Sequence, residues 1–339
     1  MKDVYILAIE SSCDDTSAAV LRNDRVLSNL IANQDVHEQF GGVVPELAGR
    51  AHQRNIIPVV DRALKEAELE MSQIDAVAYT RGPGLLGSLL VGSSFAKSLA
   101  LGLGKPLIEV NHMQAHIMAH FIKRNDYDPI PVFPFLCLTV SGGHTQLVHV
   151  HSDSRFEVIG QTIDDAAGEA FDKAAKIMGL PYPGGPLMDK LAKDGDSQKF
   201  KFTMPRVDGF DFSFSGLKTN FLYFLKKQTA ENPDFVQENL NDLCASFQHT
   251  AVSGLIDKLA AAAASTGVED LALAGGVSAN SLLRSRFSKL CAETGKRAFI
   301  SPMAYCTDNA AMIGITAYYQ FLRGDFGRMD SVPSARMQL

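Results

Sequence analysis

The sequence predicts an α/β protein made of two domains of the same plan. Three observations carry this. Its 339 residues are about twice the length of an ordinary domain. Short apolar strands alternate with helical stretches instead of segregating from them. Two stretches of the first half also have counterparts in the second. Ile6 to Val20 parallels Phe135 to Val148, each a strand, a small polar turn and a strand. Asp75 to Gly84 parallels Asp270 to Val277, each a strand, a glycine turn and the start of a helix. Two such halves facing each other imply a cleft, where ligands commonly bind.

Val4 to Ile9 is a short apolar run and predicts a buried strand. Ser17 to Leu21 follows as a second strand, and Val26 to Ala32 as a third after the turn at Asn23 and Asp24. Helical spacing runs from Val44 to Leu69, then a strand at Ala76 to Thr80, a Gly/Pro turn, and a small-residue helix from Leu85 to Leu101. A strand at Pro106 to Val110 leads into a helix at His112. The prolines at 129, 131 and 134 cannot continue a helix and mark a boundary. Beyond it, Phe135 to Val140, Gln146 to His151 and Glu157 to Gln161 form a second meander. Asp270 to Ala274 is a late strand before a Gly-Gly loop and helix.

With 46% hydrophobic and 21% charged residues, the chain has a globular composition, not a disordered one. Its formal charge of −6 argues against a globally basic nucleic-acid coat and leaves only local patches. Residues 190 to 227 form one, with eight Lys and Arg against four Asp. They are interleaved with Phe200, Phe202, Phe210, Phe212, Phe214 and Phe221, which suit base stacking or, more plainly, a core. The five cysteines are scattered, with no CxxC, so neither disulfides nor a thiolate zinc site is expected. The apolar start is too short for a signal peptide and no continuous apolar run reaches membrane-spanning length; a soluble, cytoplasmic protein with no membrane partner is expected.

The strongest chemical signal is Asn111-His-Met-Gln-Ala-His116. Spacing of i and i+4 puts two imidazoles on one helix face, within reach of one metal ion. His120 extends the row but lies about 12 Å from His112 along the axis, so a third ligand must come from elsewhere. A zinc protease carries Glu directly after the first His as general base, and here that position is Met113. Near the other end, Thr307-Asp-Asn-Ala-Ala-Met312 reads as a helix start with Thr307 as cap. Asp308 is then either an acid stabilising the helix dipole or the missing oxygen ligand.

Glu10, Asp14 and Asp15 cluster in the first meander turn, either as solvated turn acids or with one acting as a base. Ser141-Gly-Gly-His-Thr145 is a plain hairpin turn or an anion cradle. Gly184-Gly185 with Asp189, and Gly275-Gly276 with Asn280, add two glycine turns. Asp172 and Asp189 suit ribose hydroxyls and Asn280 an adenine edge, although each is individually a common capping residue.

Ten ordered blocks together resemble the TsaD family of tRNA adenosine threonylcarbamoyltransferases, once labelled O-sialoglycoprotein endopeptidases. They are Ile9-Glu-Ser-Ser-Cys-Asp14, Gly41-Gly-Val-Val-Pro-Glu-Leu-Ala48, Gly82-Pro-Gly-Leu-Leu-Gly87, Asn111 to His116, Val140-Ser-Gly-Gly-His-Thr145, Glu169-Ala-Phe-Asp-Lys173, Tyr182-Pro-Gly-Gly-Pro186, Phe212-Ser-Phe-Ser-Gly-Leu-Lys218, Ala274-Gly-Gly-Val-Ser-Ala-Asn280 and Cys306-Thr-Asp308. Asp15, where the family usually has Glu, and Gly49-Arg-Ala-His52, where Ser-Arg-Asp-His is common, depart from the pattern.

The resemblance implies the duplicated actin-like ATPase fold, two domains around a central cleft. Residues 1–128 form the first domain, completed by a C-terminal helix around 307–323, and 129–306 the second, with an insertion around 180–230. It implies transfer of a threonylcarbamoyl group from threonylcarbamoyl-AMP to N6 of adenosine 37 in tRNAs reading codons that begin with A, with release of AMP. It assigns one divalent ion, iron(II) ahead of zinc, to His112, His116 and Asp308. Thr139, Val140, Ser141, Gly142 and Gly143 would cradle phosphate, and Asp172, Gly185, Asp189 and Asn280 would hold ribose and adenine. Asp14 would position or deprotonate the amine, helped by Glu10 and Asp15. A TsaB-like paralogue and a TsaE-like ATPase are the implied partners, with the small-residue helix after Gly84 as a docking surface. The alternatives are an ATP-dependent phosphotransferase of the same superfamily and a non-catalytic nucleotide-binding subunit.

Overall fold

The computed structural model describes residues 2–34, 37, 40 and 42–339. Gly41, in the second of the ten blocks, lies outside them. The chain divides into two compact units, residues 1–130 with 307–339 and residues 131–306.

The first unit holds β1 (Tyr5–Glu10), β2 (Thr16–Arg22), β3 (Arg25–Ala32), α1 (Pro45–Glu66), β4 (Ala76–Gly82), α2 (Leu86–Leu103), β5 (Leu107–Asn111) and α3 (His112–Met118). The sheet order is β3-β2-β1-β4-β5, with β1 antiparallel to β2, β2 antiparallel to β3, and the other pairings parallel. Strand β1 reads Tyr-Ile-Leu-Ala-Ile-Glu and is buried beyond its first residue, as a strand covered on both faces must be. Leu7 and Ile9 pack with Val59, Val60 and Ala63 of α1 and with Ala96 and Ala100 of α2. Helix α2 is long and apolar enough, by length and composition, to cross a membrane. It nevertheless buries a narrow stripe, Ser88, Leu89, Gly92, Ser93, Ala96 and Ala100, inside this unit.

The helix Ala310–Arg323 completes the first unit, because side chains of β2 and β3 receive its first amides. Ala310 N–H donates to Ser17 Oγ at 2.8 Å and Ala311 N–H to Asn29 Oδ1 at 3.2 Å. Its cap is Asn309, whose Oδ1 accepts from Met312 N–H, not Thr307 as the sequence suggests. Asp308 therefore precedes the helix and is no first-turn dipole acid. The tail beyond 323 stays with this unit: Ser334 N–H donates to Arg81 O, and Asn111 Nδ2 to Gln338 O.

The second unit repeats the plan with β6 (Phe135–Val140), β7 (Thr145–Ser152), β8 (Arg155–Gln161), β9 (Asp270–Ala274) and β10 (Arg297–Ile300) in the order β10-β9-β6-β7-β8. Pairings again are antiparallel along the meander and parallel beyond it. Its helices are α4 (Ala167–Ile177), α5 (Gly184–Ala192), α6 (Ser215–Glu231), the short α7 (Phe235–Glu238), α8 (Leu240–Thr266) and α9 (Ser281–Thr294), which makes the C-terminal helix α10. The phenylalanines of 190–227 are core residues: Phe212, Phe214 and Phe221 are buried, and Phe200, Phe202 and Phe210 pack against them. The rings of Phe212, Phe214 and Phe221 thus face the core and not a base.

Candidate functional site: a histidine–aspartate cluster and a set of glycine turns

Strand β5 ends at Asn111, whose Oδ1 accepts from the amides of Met113 and Gln114 and so starts α3. One turn of this helix places His112 and His116 with ring centroids 4.7 Å apart. His120 falls beyond the helix, in a 3₁₀ turn (Ala119–Phe121), so the row of three is broken. Asp308 arrives from the segment before α10. Its Oδ1 lies 3.3 Å from His112 Nε2 and 3.2 Å from His116 Nε2. Donor atoms around a tetrahedral zinc-like ion stand roughly 3.3 Å apart, so the set fits one divalent ion with a coordination position to spare. Nδ1 of His116 is buried without a hydrogen-bond partner, and Nε2 is buried with only the Asp308 carboxylate beside it. A poorly satisfied buried nitrogen is costly, and an ion ligated at Nε2 would relieve that one.

Glu10 is not a turn acid. It is fully buried and accepts from Ser12 N–H at 2.5 Å, from the Thr80 hydroxyl at 2.5 Å and from His112 Nδ1 at 3.1 Å. A carboxylate only accepts, so Nδ1 carries the proton and Nε2 is presented to Asp308. Burial works against charge on Glu10, but the adjoining His112 outweighs it and holds the carboxyl below its usual range. Burial equally disfavours protonated His112, yet Asp308 and Glu10 raise it well above the ordinary imidazole value. Asp308, opposed by burial, is held well below the carboxylate range by His112 and then His116.

Asp14 and Asp15 remain in the loop after β1, half-buried. That loop is pinned at Cys13 O, which accepts from His52 Nε2 at 3.0 Å and from Ser88 Oγ at 2.9 Å. His52 is therefore a positioning residue. Burial holds it below the ordinary imidazole value, and its Nδ1 meets Thr16 Oγ1 at 2.7 Å. Sequence reasoning missed Thr80 and Ser88 because isolated hydroxyls carry no pattern, and noticed Ser12 and His52 only as parts of the family blocks.

In the second unit the turn 141–144 closes with Ser141 N–H donating to His144 O at 2.8 Å. Thr139 and Val140 are buried strand residues, so only Ser141, Gly142 and Gly143 are open to a ligand. Gly275, at φ +86°, lets its chain pass where a Cβ would sit 2.4 Å from Val140 O. The other predicted binding residues organise helix starts. Asp172 Oδ1 accepts from the amides of Gly184 and Gly185, the first residues of α5, and burial raises it above the usual carboxylate range despite those bonds. Asp189, on α5, accepts from Ser281 N–H and Oγ at the start of α9. Asn280 caps α9 through Leu283 N–H and donates to Gln248 Oε1. Its side-chain donor and acceptor are both engaged within the fold.

The family described as TsaD, tRNA N6-adenosine threonylcarbamoyltransferase, matches residues 25–315. A protein of that name from Christiangramia forsetii is 58% identical over 333 residues, 98% of this chain and 98% of its own. Another from Porphyromonas gingivalis is 58% identical over 337 residues, 99% of each chain. Among solved structures, the activator of the 2-hydroxyisocaproyl-CoA dehydratase from Clostridium difficile aligns over 95% of this chain and 97% of its own, with a TM-score of 0.52 at 11% identity. T. kodakarensis HypF aligns over 96% of this chain and 48% of its own, with a TM-score of 0.60 at 14% identity. Such low identities speak to fold alone. The fold is the actin-like ATPase fold with two α/β units. Matched over nearly its whole length at this level of identity, the chain belongs to the TsaD family, the tRNA N6-adenosine threonylcarbamoyltransferases.

Proposed function

We propose that the chain transfers the threonylcarbamoyl group of threonylcarbamoyl-AMP to N6 of adenosine 37 in tRNAs reading codons that begin with A, with His112, His116 and Asp308 holding one divalent ion, iron(II) ahead of zinc. Membership of an acyltransferase family sets aside the phosphotransferase and the non-catalytic subunit. The observation that carries the metal assignment is the approach of His112 Nε2, His116 Nε2 and Asp308 Oδ1 within 4.8 Å, with His116 otherwise unpartnered.

When bound, the ion supplies a Lewis acid for the acyl donor. Glu10 keeps His112 in the tautomer that ligates, and Ser12 and Thr80 keep Glu10 in place. In the second unit, the exposed Gly142 and Gly143 offer backbone amides to phosphate. Asp172 and Asp189 retain acceptor capacity for ribose hydroxyls beyond their helix-start bonds, a carboxylate having about four lone-pair sites. Asn280 and Gly185 border the adenine as shape-setting residues. The adenine amine is a poor nucleophile, and Asp14 positions or deprotonates it, with Asp15 beside it. A TsaB-like paralogue and a TsaE-like ATPase are the proposed protein partners. Leu86, Leu90 and Leu101, exposed on α2, offer the paralogue an apolar face. A tRNA substrate suits a cytoplasmic site of action.

The test is a transfer assay with defined acyl adenylate and unmodified tRNA, using untagged chain stripped of metal and reloaded, with and without the two partners. Threonylcarbamoyl-adenosine formed only with reloaded protein supports the reading. Equal transfer by stripped protein and by a His112→Ala/His116→Ala variant overturns the metal's part in it.

A further inference from the structure

We propose that the β7–β8 hairpin carries a second metal site, in which His149, His151 and Glu157 bind a borderline divalent cation such as zinc. The three residues lie wholly within the 131–306 unit and share nothing with the His112, His116 and Asp308 set. His149 and His151 are i and i+2 on β7, so the strand's two-residue period sends both rings to the same face. Glu157 stands opposite His149 in the register of β7 against β8. One ligand atom from each residue falls within 4.8 Å of the others, and the rings are 4.1 Å apart between centroids.

A simple surface ion pair accounts for only part of this arrangement. His151 Nε2 meets Glu157 Oε2 at 2.8 Å, but His149 Nε2 is buried and has no hydrogen-bond partner. That nitrogen needs something to bind, and the neighbouring imidazole and carboxylate make the missing partner a cation that accepts nitrogen and oxygen donors together. Two imidazoles and one carboxylate suit zinc(II), nickel(II) or copper(II) better than magnesium or calcium. Three donors leave a fourth position for water. Strand β8 is the edge of its sheet, so the ion would cross-link an edge strand to its neighbour.

The test is zinc binding by untagged full-length chain after removal of metal, followed by equilibrium dialysis and metal analysis. About two zinc ions per chain are expected for the wild type, with one surviving in His112→Ala/His116→Ala and one in His149→Ala/His151→Ala. Glu157→Gln, which preserves side-chain size on an exposed position, should weaken the hairpin ion by about tenfold or more. Far-UV circular dichroism and thermal melts of each variant establish that it folds. A His112→Ala/His116→Ala variant that folds and takes up no zinc overturns the proposal. So does a His149→Ala/His151→Ala variant that folds and still holds both ions.

Discussion

Glu10 Oε2 accepts a hydrogen bond from Nδ1 of His112 at 3.1 Å, deep in the first unit. The carboxylate at the end of β1 thus selects the tautomer of the first residue of α3. It does so from a position locked by Ser12 N–H and the Thr80 hydroxyl. The pair is held by parallel strands and the helix α3, and not by the acid loop next to it.

Glu10→Gln should therefore weaken metal binding at His112, His116 and Asp308 by about 10- to 100-fold, as loss of a ligand-orienting carboxylate usually does. The His112→Ala/His116→Ala variant should lose that ion altogether. Competition against a chelator of known affinity measures both. Unchanged affinity in Glu10→Gln would mean that the carboxylate merely fills space.

Binding at that site should strengthen as pH rises through the neutral range. Burial lowers His112's affinity for its proton, but Asp308 and Glu10 more than restore it and raise the imidazole well above its ordinary value. An ion at Nε2 must displace that proton, so uptake releases protons and acid opposes it. Chelator competition at several pH values reads the slope, which should be shallower in Glu10→Gln because one of the two raising charges is gone.

Asp14→Asn should leave adenylate binding nearly intact and slow transfer by about 10²- to 10⁴-fold at saturating substrate. The substitution keeps size and removes charge. Single-turnover transfer alongside nucleotide titration separates the two effects. A wild-type rate would move the base to Asp15 or to solvent, since Glu10 is fully buried and engaged with His112.

Gly275→Ala and Gly143→Ala should behave oppositely. At Gly275, φ is +86° and an added Cβ would meet Val140 O at 2.4 Å, so a loss of about 1–3 kcal/mol is expected. At Gly143 an added Cβ meets nothing within 4 Å. Stability should there change by less than about 0.5 kcal/mol, while the methyl group crowds the phosphate cradle and weakens adenylate binding. Thermal melts and nucleotide titration decide both halves.

No peptidase activity is expected. Met113 occupies the position of a zinc protease's general base and is itself buried, and Glu10 is already bonded to Nδ1 of His112. Incubation of pure protein with a glycoprotein, read on a gel, should show no fragments. Cleavage that disappears in His112→Ala would refute this.

Features governed by neighbours in the chain were legible from the sequence. Apolar runs marked β1, β4, β6 and β9, because a strand buried on both faces has no polar positions to spare. The i, i+4 spacing of His112 and His116 follows from one helical turn. The shared plan of the two halves was likewise readable as order, and both sheets realise it in the same strand sequence.

Only tertiary structure decided which distant groups meet. Local reasoning left Asp308 either a dipole acid at the start of a helix or a missing ligand, and the likeness to a family favoured the ligand. What brings it to the histidines is the docking of α10's first amides on Ser17 and Asn29, nearly 300 residues earlier in the chain. Glu10 looked like one of three loop acids until parallel strands and α3 enclosed it. Phe212, Phe214 and Phe221 could be read as stacking on bases or, more plainly, as core until the tertiary structure buried them in the core of the second unit. Local periodicity comes from backbone geometry and is written within a few residues. Convergence comes from packing, in which a side chain's role depends on which remote surface covers it and which charges that surface brings.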